Sequence, residues 1–329
     1  MPKINLHTRR LLASRDLRLA LISLDEWNIV DINGPDHLSY LQSQVTIDVT
    51  TLLDNQHVIT AHCNSKGKIC TTIRLFHRGN GLAYITRRNM TKTQLNILKN
   101  YSVFSKTNII TDKNAVLLGI AGDQSRYILE TIFKHIPNSI SPVVQSEENI
   151  LLWFGEPAER FLLITTKERA AIIRNTLKIK AQLYDSAQWL ALEIEAGLPI
   201  IDSCTSFQFL PQEANLQELH AISFNKGCYI GQEIIARTKF HNANKRSLYW
   251  LTGTAERIPE AGDSLETKIR NHWRHIGTVL AACQIGKSTI SIQAILRNNL
   301  PENTALRLLS DDTSRLLIQY LPYKLYSKI

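Results

Sequence analysis

From Leu248 onward helix signals fade, and short β runs take over at 248–254, 276–283, 288–296 and 314–319. Runs of this length and spacing are those of a small barrel. The preceding part mixes strands and helices. Alternation over 20–33 predicts a strand. Asn33-Gly34-Pro35 opens a helix with Leu38, Leu41 and Val45 on one face. Residues 58–63 and 69–76 read as strands joined by a hairpin turn at Asn64-Ser65-Lys66-Gly67, 82–86 as a further strand, and 90–102 as a helix with Leu95 and Leu98 inward. A strand at 116–121 leads to Asp123, expected to cap a helix running to about His135. A loop is expected at 137–149, strands at 150–154 and 161–165, and a helix at 167–177. Ser186 is expected to cap a helix that Gly197-Leu198-Pro199 ends. The fold class is α+β followed by all-β.

At 329 residues the chain is too long for one ordinary core and points to two or three domains. A composition with 44% hydrophobic and 20% charged residues excludes a largely disordered chain, and no stretch approaches the ~20 apolar residues of a membrane span. Five cysteines without a CxxC support neither a zinc ribbon nor a thioredoxin-type pair, and fit a reduced, cytoplasmic setting. Thr8-Arg9-Arg10-Leu11-Leu12 imitates a twin-arginine leader, but Arg15, Asp16 and Arg18 interrupt the apolar stretch that should follow.

The net charge of +9 is concentrated. Residues 66–113 hold ten Lys or Arg and one acid, and the rest of the chain is neutral. Such a segment points to a local surface for an anion, either nucleic acid or an acidic small molecule. Its candidates are Lys66, Lys68, Arg74, Arg87 and Arg88, with Phe76, Tyr84 and Tyr101 interleaved. A second cluster, Arg237, Lys239, Lys245 and Arg246, follows without an intervening acid.

The strongest local motif is Lys226-Gly227-Cys228-Tyr229-Ile230-Gly231-Gln232-Glu233. Two glycines allow a tight backbone, and a lysine two residues before a cysteine can stabilise a thiolate. Cys228 is thus either a reactive thiol or a buried cysteine in a glycine turn. Three other patterns carry no function. Gly286-Lys287-Ser288-Thr289 lacks the phosphate-loop glycine, which is Ala281 here. His57, His62, Cys63 and Cys70 match no metal-site spacing, so no metal is expected. Glu193 and Glu195 point to different helix faces.

The octapeptide resembles the hallmark of the YgfZ family, folate-binding proteins related to the aminomethyltransferase of the glycine cleavage system. Gly34-Pro35-Asp36, Leu41 to Asp48, Ala61 to Lys68, Ile194 to Pro199, Pro211 to Leu216 and Ala243 to Arg246 resemble further family blocks in order. The resemblance implies three domains around a central channel, placed here at 1–115, 116–240 with the octapeptide, and 241–329 as the C-terminal β-barrel. It implies folate, as tetrahydrofolate or a derivative, bound at Trp27 and Trp189 with Cys228 nearby. An indole face suits a flat pterin, although a lone Trp also serves as a core anchor. It further implies a role in tRNA modification, with tRNA or a tRNA-modifying iron–sulfur enzyme as partner, and links to replication initiation through DnaA.

Where the aminomethyltransferase hairpin carries an aspartate, this chain has Lys66-Gly67-Lys68-Ile69-Cys70-Thr71. General acid–base work needs a titratable group within hydrogen-bond reach, and Cys70 and Thr71 are poor substitutes. The departure favours a binding or auxiliary role. The alternatives are a folate-dependent one-carbon transferase and a direct tRNA-binding module.

Overall fold

A computed structural model describes residues 9–146, 148–270, 272–301 and 303–325. The first part of the imitated leader therefore lies outside the described residues. The chain runs β1 (Ala20–Ser23), β2 (Trp27–Asn33), α1 (His37–Gln42), β3 (His57–Cys63), β4 (Ile69–Arg78), β5 (Gly81–Arg87), α2 (Arg88–Tyr101) and β6 (Asn108–Thr111). Next come β7 (Val116–Ala121), α3 (Ser125–Glu130), β8 (Val143–Gln145), β9 (Asn149–Phe154), β10 (Arg160–Thr165), α4 (Lys167–Leu177), β11 (Gln182–Tyr184) and α5 (Ser186–Glu195). A long irregular segment leads to α6 (Gln232–Phe240), then β12 (Arg246–Thr254), β13 (Ser264–Ile269), β14 (His272–Ile285), β15 (Thr289–Arg297), β16 (Leu306–Leu308) and β17 (Arg315–Gln319).

The last six strands close into a barrel in the order β12-β15-β14-β13-β16-β17, as the β runs predict. Two short strands, β13 and β16, escaped the sequence reading, and the imitated phosphate loop is the β14–β15 turn. The other strands form a five-stranded sheet, β3-β4-β5-β2-β6, and a six-stranded sheet, β11-β1-β7-β10-β9-β8. One face of the first sheet packs Val30, Ile32, Leu75 and Tyr84 beneath Tyr40 of α1 and Leu98 of α2. Its other face meets the second sheet, where Trp27, Ile29, Phe76 and Ile85 join Leu117, Leu152, Leu162 and Ile164. Every residue of β10 is buried, because its back packs on Ala170, Ile173 and Leu177 of α4.

The expected strand at 20–33 is two strands in two sheets. Leu24 turns the chain, with its carbonyl accepting from Trp27 N at 3.1 Å, and β1 pairs with β7 and β11 while β2 pairs with β5 and β6. Alternation runs through the turn because both halves are buried on the same side of the chain. β1 therefore adds a strand from the first 115 residues to the sheet otherwise built from 116–184. The first α3 residue follows Gln124 rather than Asp123, since Asp123 N is bound to Leu17 O, and α3 ends at Glu130. The cap of α5 is Asp185, which accepts from Ala187 N at 3.0 Å. Ser186 Oγ instead donates to Ser23 O and accepts from Glu26 N, fixing α5 against the β1–β2 turn. The expected 137–149 loop contains β8.

Helix α5 joins all three bodies. Trp189 and Leu192 enter the core between the sheets. Ala191 and Ile194 pack on Ala281 and Cys283 of the barrel. Gln293 of β15 accepts from Ile200 N and donates to Leu198 O, both at 2.9 Å, holding the segment after α5. The stretch 201–235 fills the space between the first sheet and the barrel through Phe209, Leu216, Tyr229 and Ile235.

Two enclosed histidines make stability pH-dependent. Burial holds His62 down at about 4, and burial with the nearby Arg74 charge holds His57 down at about 3. As pH falls below 6.5 the unfolded chain takes up these protons and the folded chain does not, so stability falls. The slope is about 1.4 kcal/mol per pH unit for each fully titrating group. The melting temperature is expected to drop between pH 6.5 and 5, with a shallower drop in His62→Phe; an unchanged slope in that variant refutes the assignment.

Candidate functional site

Trp27 and Trp189 line one cavity, although they come from β2 and α5. The cavity is narrow, about 50 Å³, and lies where the two sheets and α5 meet. Thr72, Arg74 and Arg87 line its first-sheet wall, and Phe154, Leu162 and Glu193 the opposite side. Phe154 meets Trp189 edge-on at 5.6 Å between centroids.

Three guanidiniums cover these aromatic rings. Arg87 lies 4.5 Å from the Trp27 centroid, Arg160 4.4 Å from that of Trp189, and Arg74 5.1 Å from that of Phe154. Each indole therefore already has one face in a cation–π contact. Asp202 accepts from Arg87 Nε at 3.1 Å, and Glu193 Oε1 lies 2.9 Å from Arg160 Nη2. Burial pulls Arg160 below its usual range, against the Glu193 charge that supports it. Burial likewise brings Arg74 down to about 10; Glu193 opposes this and Arg160 adds to it. The one carboxylate in the cavity wall, Glu193, is thus already paired.

The remaining expected cations do not form one surface with these. Lys66 is exposed at the hairpin turn, Lys68 reaches Glu213 at 3.5 Å, and exposed Arg88 donates to Asp25 O. Arg78 is also neutralised, by Asp31 at 2.8 Å and Asp112 at 2.9 Å. Apart from Asp112, the basic window draws its partners from acids distant in sequence, Asp31, Asp202 and Glu213, which a window count cannot register. A groove of about 620 Å³ does run along α2 with Arg88, Lys92, Lys99 and Lys113, and Trp27 lines it as well as the cavity.

The octapeptide sits elsewhere, against the β3–β4 turn. Lys226 Nζ donates to the carbonyls of Gln42 at 2.6 Å, Val45 at 2.9 Å and Ile47 at 2.5 Å. An ammonium has three N–H donors, and all three are used. The expected thiolate-stabilising role is therefore corrected: Lys226 clamps the chain after α1. Cys228 is exposed, which removes the buried-cysteine reading, and it is not among the residues lining the tryptophan cavity. Gly231 begins α6 at φ +85°, and a Cβ there would meet Asn64 O at 2.5 Å. Gly227 has open space instead. Tyr229 is buried, its N–H donates to Gln232 Oε1 at 3.2 Å, and Glu233 is exposed.

A model of the YgfZ β-barrel domain matches residues 244–312, the larger part of the barrel. The chain is 51% identical over 314 residues to the tRNA-modifying protein YgfZ of Pectobacterium carotovorum subsp. carotovorum, an alignment covering 95% of this chain and 94% of that protein. It is 50% identical to the protein of the same name from Yersinia enterocolitica, with 96% of each covered. The chain belongs to the YgfZ family. Among solved structures, the glycine cleavage system aminomethyltransferase T from Bartonella henselae shares the fold, with a TM-score of 0.77, 94% of this chain and 87% of that chain covered, and 16% identity.

The YgfZ hairpin without an aspartate has a packing counterpart. Cys70 and Thr71 are buried; Cys70 O accepts from Ser206 Oγ at 2.7 Å, and burial raises the Cys70 thiol to about 11. Reading the sequence missed Arg160, Phe154, Asp202 and the pairing of Glu193. A signal for Arg160 existed, since it heads the apolar run Phe161-Leu162-Leu163-Ile164.

The octapeptide separates into a structural part and a free thiol. Lys226→Met strands three carbonyls and is expected to destabilise the fold by about 3 kcal/mol or more in urea unfolding. Gly231→Ala is expected to destabilise it too, whereas Cys228→Ser stays within about 0.5 kcal/mol. A Cys228→Ser loss as large as that of Lys226→Met would refute this division.

Proposed function

We propose that this protein supports tRNA modification as a folate-binding auxiliary protein rather than as a one-carbon transferase. The observation that carries the reading is the convergence of Trp27 and Trp189, from opposite ends of the fold's first two-thirds, on one cavity that Arg74 and Arg87 also line, with Arg160 over the Trp189 ring. Flat rings stack on indoles, guanidiniums suit carboxylates, and the cations along α2 suit an acidic tail. The about 620 Å³ groove that shares Trp27 has the volume of a small-molecule site.

The residue chemistry fits a folate, and the about 50 Å³ cavity limits how. Within the cavity, a pterin would reach the Trp27 face that Arg87 covers when Arg87 leaves it. Trp27, Arg87, Arg88 and Lys92 would hold the ligand from the groove side, with Trp189 behind. Bound folate would supply a carrier for a one-carbon unit. The relatives' name supports the tRNA role, and the shared aminomethyltransferase fold supports the ligand class. Maintenance of iron–sulfur tRNA-modifying enzymes, and the link to replication initiation, belong to the same proposal through the family resemblance.

The transferase alternative is disfavoured because Glu193 is already engaged by Arg160 and the hairpin has no carboxylate. Purified protein given tetrahydrofolate and an aminomethyl donor is expected to show no sustained turnover.

Titration with 5-formyltetrahydrofolate, read by tryptophan fluorescence, tests the ligand and its site together. Wild type is expected to bind, with affinity about ten-fold weaker in Trp27→Ala and in Trp189→Phe, the latter chosen because Trp189 is fully buried. Equal affinity in all three proteins rejects the site. In cells, Cys228→Ala is expected to abolish the supported tRNA modification with the fold intact, and full activity rejects a role for the thiol.

A further inference from the structure

The second cationic cluster is not used by the tryptophan site. Lys239 is engaged, its Nζ 3.7 Å from the Phe224 ring centroid. Lys245 and Arg246 lead into the barrel, and there a groove of about 910 Å³ opens between the start of β12, the β13–β14 hairpin and the loop after β15. Lys245, Lys268, Arg270 and Arg297 line it together with asparagines, among them Asn298 and Asn299. No Asp or Glu is among its described lining residues.

Among the described residues these charges are uncompensated, in a barrel that compensates others. Arg307 is paired with Glu266 and Asp312, and Arg257 with Asp263. Among the described residues, none of the four groove cations has an ion-pair partner. Arg246 also stands directly opposite Arg297 in the β12–β15 pairing. Like charges placed opposite each other destabilise a sheet, so the fold carries this arrangement at a cost. Arg270 sits at φ +55° on the hairpin tip, where a long side chain is uncommon.

We propose that this end of the barrel docks the phosphodiester backbone of tRNA. Ammonium, guanidinium and carboxamide donors are the groups that hold phosphates and fix register without reading sequence. A protein partner would call for an apolar, charge-poor centre, which a groove with four cations does not offer. The proposal rests on the reading that the protein works on tRNA; it adds where tRNA is held, and separates that surface from the tryptophan site.

The test is fluorescence anisotropy of the full chain with fluorescein-labelled unfractionated tRNA, from 50 to 200 mM salt. Wild type is expected to bind with an affinity that falls steeply with salt. Combined Lys268→Ala, Arg270→Ala and Arg297→Ala, all exposed positions, is expected to weaken binding at least ten-fold at 50 mM salt. The slope of log affinity against log salt should become shallower by about 2, from about 0.7 to 0.9 per lost contact. Lys178→Ala with Lys287→Ala, exposed and outside the groove, is expected to leave affinity unchanged. Unaltered 5-formyltetrahydrofolate binding by the triple variant shows that the fold and the other site are intact. If wild type binds tRNA and the triple variant binds it equally well, the groove is rejected and the tRNA reading stands. If wild type does not bind tRNA, or polyglutamate of equal charge displaces it equally well, RNA docking is overturned at its root.

Discussion

Helix α5, which joins the sheets to the barrel, is held on the second sheet by one guanidinium taken out of water. Arg160 is 1% exposed and heads the buried strand β10. A buried charge left unpaired costs several kcal/mol, so Glu193 must stand beside it. That requirement fixes the rotation of α5. Trp189 lies one helical turn before Glu193, on the same face, and its indole falls over Arg160. Below the indole is Gly119 of β7, where a Cβ would come within 2.6 Å of the ring. The opposite face of α5 then presents Ala191 and Ile194 to the barrel. One ion pair thus couples the second sheet, the helix and the barrel wall.

The same arrangement decides what the cavity can do. Three guanidiniums against two paired carboxylates leave the surroundings positive, and Trp27, Trp189 and Phe154 each carry a guanidinium over the ring. A positive centre of this kind suits an anion. Among its described lining residues the one carboxylate is Glu193, which is paired with Arg160. The fold is shared with an aminomethyltransferase, and a shared fold does not by itself carry that protein's chemistry.

How much of this could be read in the sequence follows from how local each signal is. The barrel was legible, because its strands are short, regular and uninterrupted by helix patterns. Trp27 and Trp189 were singled out through the family resemblance alone, since nothing in an isolated Trp says whether it is a core anchor or a stacking face. Their convergence depends on α5 packing across both sheets, a contact 160 residues apart in the chain. The break in 20–33 was illegible, because alternation persists when a chain turns from one buried edge to another. Lys226 was misread for a related reason. Its neighbour in sequence is a cysteine, while its partners in space are carbonyls of residues 42, 45 and 47.

Charge shows the limit most clearly. A count along the chain places the positive excess at 66–113, yet Arg78 and Arg87 in that window are neutralised by Asp31, Asp112 and Asp202. The barrel groove lies in a stretch whose overall balance is unremarkable, and among the described residues its four cations have no ion-pair partner. Whether a charge is compensated is a matter of its neighbours in space, and only the folded arrangement shows it. Opposed arginines at 246 and 297 express the same condition in the register of a sheet, where a structural role would place a carboxylate or a threonine opposite each.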